Sequence, residues 1–137
     1  MLGRLAVNVP DLQAAKRYYG RLMPLLDFEP FLDAEDEFAY MPSHGKRGTY
    51  IFFYPSAVSP SEKTGAYSRR AIGLQHLAFM VPTRAVVHRV HDLVVELGNE
   101  VLYAPQEFPR YGSPYFAVFW TDPFGFMLEA VCHHDRD

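Results

Sequence analysis

Apolar and polar residues alternate over residues 4–9, RLAVNV, which places Leu5, Val7 and Val9 on one side of a strand and Arg4, Ala6 and Asn8 on the other. Pro10 ends that run, and Asp11 stands where a helix N-cap belongs. The spacing predicts a helix over 12–26, with Pro24 breaking or kinking its last turn. Strand-like runs follow at 28–32, 37–41 and 49–54. The same order then returns. A strand over 74–81 leads through Pro82 to Thr83, a second cap. The helix RAVVHRVHDLVVELG follows, with Val86, Val87, Val90, Leu93, Val94 and Leu97 on one stripe and Gly98 at its end. Further strands are expected at 100–103, 115–121 and 124–131. The last two are joined by Asp122-Pro123-Phe124-Gly125, which suits a tight turn.

The recurrence is an internal repeat. A shift of 72 positions lays LAVNVP (5–10) over LAFMVP (77–82), Arg17 over Arg89 and Leu25 over Leu97. Each half therefore reads β-α-β-β-β, an α+β protein made of two such modules. The expected divisions are a first module over 1–55, a linker over 56–72 rich in Ser, Pro, Gly and charge, and a second module over 73–137. A four-stranded half has little chance of burying its sheet alone. The two should pack together, either within one chain or by exchange between the chains of a homodimer.

The shift also makes Arg4 and His76 equivalent, both on the strand face turned away from the helix. In the final strand a lone carboxylate, Glu129, interrupts the apolar run FMLEAV. An unpaired buried charge is costly, so a cation, a metal or a histidine is its expected partner.

Composition narrows the class of partner. The 137 residues are 49% hydrophobic and 21% charged, which excludes disorder as the dominant state. A net charge of −3 without a basic stripe argues against nucleic acid. Cys132 is the single cysteine, so neither a disulfide framework nor a cysteine zinc site is available. No apolar run approaches a membrane span and the N-terminus goes straight into patterned sequence, so the expectation is a soluble cytoplasmic protein without a membrane partner.

The segments NVPDLQAAKRYY, HLAFMVPTRAVVHRV and YFAVFWTDPFGFMLEAV resemble the glyoxalase/bleomycin-resistance/extradiol dioxygenase superfamily, the vicinal oxygen chelate proteins. The resemblance covers nearly the whole chain and implies paired βαβββ modules whose strands curl into a cup around a small-molecule site. In metal-using members it implies divalent ligands from the first and last strands of the modules. His76 matches the second-module first-strand ligand, and Glu129 matches the last-strand carboxylate. Arg4 stands where the first module commonly has His or Gln, and the fourth strand, YIFFY, offers no carboxylate.

Two protein ligands are few for a catalytic metal, which normally takes three. A guanidinium stays charged in a protein. At 4 Å from a divalent ion and an effective dielectric of 20 it would add roughly 8 kcal/mol of repulsion. Arg4 could instead occupy the vacated position and bond Glu129 with two prongs. No cofactor is certain on this reading, and a divalent ion (Mn, Fe, Ni or Zn) on His76 and Glu129, with Arg4 swung aside, is the competing expectation.

The function expected first is binding of a small organic molecule at a degenerate metal site in the cup, as in the bleomycin-resistance members. The alternative is a lyase, isomerase or dioxygenase of the glyoxalase type, using a divalent metal. A metal-free variant of that chemistry would have His76 and Glu129 move a proton while Arg4 holds an oxyanion. The aromatic stretch 103–115 adds Arg110, Tyr111 and Tyr115 as candidate substrate contacts, because this region borders the site in the resembling family. His88 and His91 lie opposite the apolar stripe and read as solvated. His44 reads as an exposed turn residue, and His133 and His134 as a tail beside Asp135.

Overall fold

The structure, a computed structural model, describes residues 1–57 and 67–134; the centre of the expected linker (58–66) and Asp135 lie outside the described residues. The chain divides into two compact units, Met1–Ala66 and Tyr67–Asp137. Each carries one helix and one four-stranded mixed sheet, which is the α+β arrangement the repeat implied.

In the first unit β1 (Arg4–Val9) leads to α1 (Leu12–Leu22), followed by β2 (Phe28–Asp33), β3 (Phe38–Pro42) and β4 (Tyr50–Pro55). The sheet order is β1-β4-β3-β2; β1 and β4 are parallel and the other neighbours antiparallel. Asp11 caps α1 by accepting from the Ala14 amide at 3.0 Å, as expected of that position. The helix stops at Leu22 rather than running to Leu26, because Pro24 lacks an amide hydrogen; Met23–Leu26 tightens into a 3-10 segment instead. Tyr19 of α1 packs on Phe53 of β4, ring centres 4.5 Å apart, and Phe53 stacks on Phe38 at 4.7 Å. The opposite sheet face therefore carries Arg4, Ala6 and Asn8 beside Tyr50, Phe52 and Tyr54, in register pair by pair.

The second unit repeats the plan: β5 (Leu77–Met80), α2 (Arg84–Glu96), β6 (Val101–Glu107), β7 (Phe116–Thr121) and β8 (Met127–Cys132), in the order β5-β8-β7-β6. Thr83 caps α2 through the Val86 amide at 3.3 Å. The stripe Val86, Val87, Val90, Leu93 and Val94 is buried, as are Val118, Trp120, Leu128 and Ala130 of β7 and β8. Between those strands Asp122 is buried and its Oδ1 accepts from the amides of Phe124 and Phe126, both at 2.9 Å, while Gly125 takes a φ of +92°.

Three expected boundaries differ. The strand expected over 74–81 is short, Leu77–Met80, and ahead of it the Leu74 carbonyl accepts from the Tyr67 hydroxyl at 2.5 Å. β6 runs on to Glu107, with register shifts on both sides of Tyr103, so the first five residues of the stretch 103–115 are strand rather than loop. β8 begins at Met127, because residues 124 and 125 are spent in the turn held by Asp122. Among the described residues no helix is long and apolar enough to cross a membrane.

Candidate functional site

Alternation along β8 turns Leu128, Ala130 and Cys132 toward α2 and Met127, Glu129 and Val131 to the other face. Glu129 lies across from Phe119 on β7 and beside Ala78 on β5. It is 1% exposed, in a face built from Ala117, Phe119, Met127 and Val131 with Leu102, Phe108 and Tyr115 packed against them. A carboxylate there needs donors, and it has two. His76, just ahead of β5, donates from Nε2 to Glu129 Oε1 at 3.1 Å, and the Tyr115 hydroxyl, just ahead of β7, donates to Oε2 at 2.5 Å.

The phenol of Tyr115 is held as a donor. Burial pushes its pKa up first, and the hydrogen bond to Glu129, that residue's negative charge and Tyr111 push it in the same direction. Tyr115 therefore keeps its proton throughout the neutral range. The His76 ring is anchored at both nitrogens, with Gln75 Oε1 2.5 Å from Nδ1, and it lies 5.9 Å from the Phe119 ring. A neutral imidazole donates to one of these two oxygens, and which one depends on the tautomer. About a third of the His76 side chain is solvent-exposed, so the imidazole is the accessible member of an otherwise buried pair.

The remaining expected residues fall into two groups. Tyr111 packs against Tyr115 with ring centres 5.5 Å apart, and the Arg110 guanidinium lies 5.5 Å over Tyr111, which links all three loop residues to the Glu129 face. Arg4, in the other unit, lies 4.0 Å over the ring of Phe52. Within its own unit the partner of Arg4 is an arene, and within the second unit the oxygens of Glu129 accept from His76 and Tyr115. His88 is exposed beside Phe116, His91 faces its neighbour Asp92, and His44 is exposed near Asp27. His133, read as a tail residue, sets its ring against Tyr115 at 5.0 Å.

The repeat explains the pairing of Arg4 with Phe52. A shift of 72 carries Ala6 onto Ala78; Ala6 is opposite Phe52 and Ala78 is opposite Glu129. Phe52 thus holds in the first unit the place that Glu129 holds in the second, as Arg4 holds that of His76. An imidazole-carboxylate contact in one unit is a guanidinium-arene contact in the other.

Within the second unit His76 and Glu129 are two side chains of the kind that hold a divalent ion, and the neighbouring phenol keeps its proton, so this unit alone brings fewer protein ligands together than the three a catalytic ion normally takes. Among the described residues no group of three or more His, Cys, Asp or Glu is arranged to hold a metal.

Two residues were not anticipated as site candidates. Phe31 is the extra residue where β2 shifts register against β3, and Tyr103 sits between two register shifts of β6. They are 50% and 51% exposed, and both are aromatic. Phe31 meets Tyr50 and Phe52 edge-on at 4.9 and 6.1 Å, and Tyr103 meets Phe119 at 5.5 Å, so each lies on the face away from its helix. The 72-residue shift superposes them, which is the signal that could have found them.

The profile of the Glyoxalase/Bleomycin resistance protein/Dioxygenase superfamily matches residues 1–130, and the chain belongs to that family. A curated relative, the "Uncharacterized protein YqjT" of Bacillus subtilis (strain 168), is 25% identical over 127 residues, covering 93% of this chain and 94% of its own length. The crystal structure of a "putative glyoxalase" from Bacillus halodurans is 28% identical, with 96% of this chain and 95% of that one covered and a TM-score of 0.79. A glyoxalase/bleomycin resistance protein from Albidiferax ferrireducens T118 shares the fold at 14% identity, with 98% and 99% covered and a TM-score of 0.75.

Proposed function

We propose that this family member binds a small organic molecule without a resident metal, and that His76, Glu129 and Tyr115 form the polar anchor for it. The observation that carries the reading is that each oxygen of Glu129 accepts from a protein donor, His76 or Tyr115, at the position that matches the family's last-strand ligand. One lone pair on each carboxylate oxygen is taken by a protein donor, so a cation would compete with His76 and Tyr115 for this group. The aromatic wall of Phe108, Phe119, Tyr111 and Tyr103 around it suits an apolar ligand body with one hydrogen-bonding function. Arg110 and Tyr111 are further ligand contacts on this reading.

The partly exposed His76 favours a second reading, in which the same cluster performs chemistry. An imidazole backed by a buried carboxylate can take a proton from a bound carbon or oxygen acid and return it, while the Tyr115–Glu129 bond keeps the carboxylate in place. That is isomerase or lyase work without Lewis-acid help.

Ligand-observed NMR with a fragment set tests the proposal. Hits bound by the natural chain should weaken in Glu129→Gln and in His76→Ala. A set of hits that all bind the two variants as tightly as the natural chain would remove the anchor role. Isomerisation or elimination of any hit by the natural chain, lost in His76→Ala, would favour the second reading.

A further inference from the structure

We infer that the Arg4 face of the first unit is a recognition site for a planar aromatic carboxylate. The inference rests on the reading of the chain as a small-molecule binder and names the chemistry of one ligand class. Three observations on that face converge. Arg4 is exposed, and its guanidinium lies 4.0 Å over Phe52, so the plane of the cation is backed by an arene and its N–H edges are left for an acceptor. Among the described residues no carboxylate pairs with it, so the positive charge on this face is uncompensated. Beside it, the register shift in β2 presents Phe31, half exposed, with its ring 4.9 Å from Tyr50 and 6.1 Å from Phe52.

An exposed phenylalanine has no use for water, and a strand irregularity is a common means of re-aiming a side chain beside a site. Tyr50 is paired with Arg4 in the β1–β4 register, so the ring contact and the cation are neighbours along one edge of the sheet. A ligand with a flat apolar body and a carboxylate at its rim satisfies both. The carboxylate takes the two-pronged guanidinium contact, and the ring lies on Phe31 and Tyr50. A neutral ligand of the same shape would leave the guanidinium unpaired, and an aliphatic carboxylate would leave the exposed ring uncovered. The repeat-related face of the second unit has Tyr103 in the place of Phe31 but Glu129 in the place of Phe52, so the guanidinium-arene pair belongs to the first face.

The test uses amide chemical-shift titration of the full chain with 2-naphthoate and, as the uncharged match, 2-naphthylmethanol. Naphthoate should shift the amides of residues 4–6 and 50–52 and bind about tenfold more tightly than the alcohol, the worth of one charge-assisted contact. Arg4→Gln should reduce that preference to about twofold or less, and Phe31→Ser should weaken both compounds together. Both side chains are exposed, and the same spectra report that the variants remain folded. Equal affinity for acid and alcohol in the natural chain overturns the inference, as does a naphthoate preference that survives in Arg4→Gln. Naphthoate shifts confined to residues around Glu129 overturn it too, while leaving small-molecule binding by the chain intact.

Discussion

Replacing Tyr115 with Phe removes one oxygen atom and isolates the contact on which the polar cluster depends. The hydroxyl donates to Glu129 Oε2 at 2.5 Å, and the carboxylate it serves is 1% exposed, so water has no easy path to the vacated lone pair. Hydrogen bonds to charged groups contribute about 1.5–3 kcal/mol, against about 0.5–1.5 kcal/mol for neutral pairs. The ring contacts with Phe108, Tyr111 and His133 survive in Tyr115→Phe, so packing contributes little to the difference. Urea denaturation at neutral pH should then show a loss of about 2 kcal/mol in Tyr115→Phe. In a Glu129→Gln background the same change should cost about 1 kcal/mol, because the acceptor is now neutral, and the difference between the two costs is the coupling. A Tyr115→Phe protein as stable as the natural chain, or an equal cost in both backgrounds, would refute the argument that this phenol stabilises a buried charge by hydrogen bonding.

The pH dependence carries a sign. The folded pKa of Tyr115 is raised above its ordinary value near 10, so its contribution is fully present below about pH 10 and is lost as pH rises from there toward the folded value. Stability measured between pH 9 and 11 should fall less steeply in Glu129→Gln, where burial alone still raises the phenol, and equal slopes would contradict the assignment of cause. Asp122→Ala strips two backbone amides of their acceptor in a buried turn and should cost about 2 kcal/mol by thermal or urea unfolding, while Asp122→Asn, which keeps an oxygen, should recover half or more of it.

Much of the fold was legible because it is local chemistry. Asp11 and Thr83 act as the caps their positions suggest, and the stripe from Val86 to Val94 is buried as its spacing requires. The Asp122–Gly125 turn follows from residues that favour little else. The His76–Glu129 contact could be expected too, since an isolated carboxylate in an apolar strand needs a donor and the repeat points to one. What escaped the sequence depends on register. Tyr115 could be named as a site residue, but its bond to Glu129 follows from where β7 begins, one residue after it. The exposure of Phe31 and Tyr103 follows from register shifts, which alternation alone does not reveal. The contact of Arg4 with Phe52 was not legible either, because it depends on the β1–β4 register.

The account turns on a donor set that leaves Glu129 satisfied by protein. Elemental analysis of the untagged chain, purified without chelator from medium supplemented with Mn, Fe, Ni and Zn, tests that directly. The expected result is no stoichiometric metal, and the same trace content in His76→Ala and Glu129→Gln. One equivalent of a divalent ion in the natural chain, absent from both variants, would contradict it.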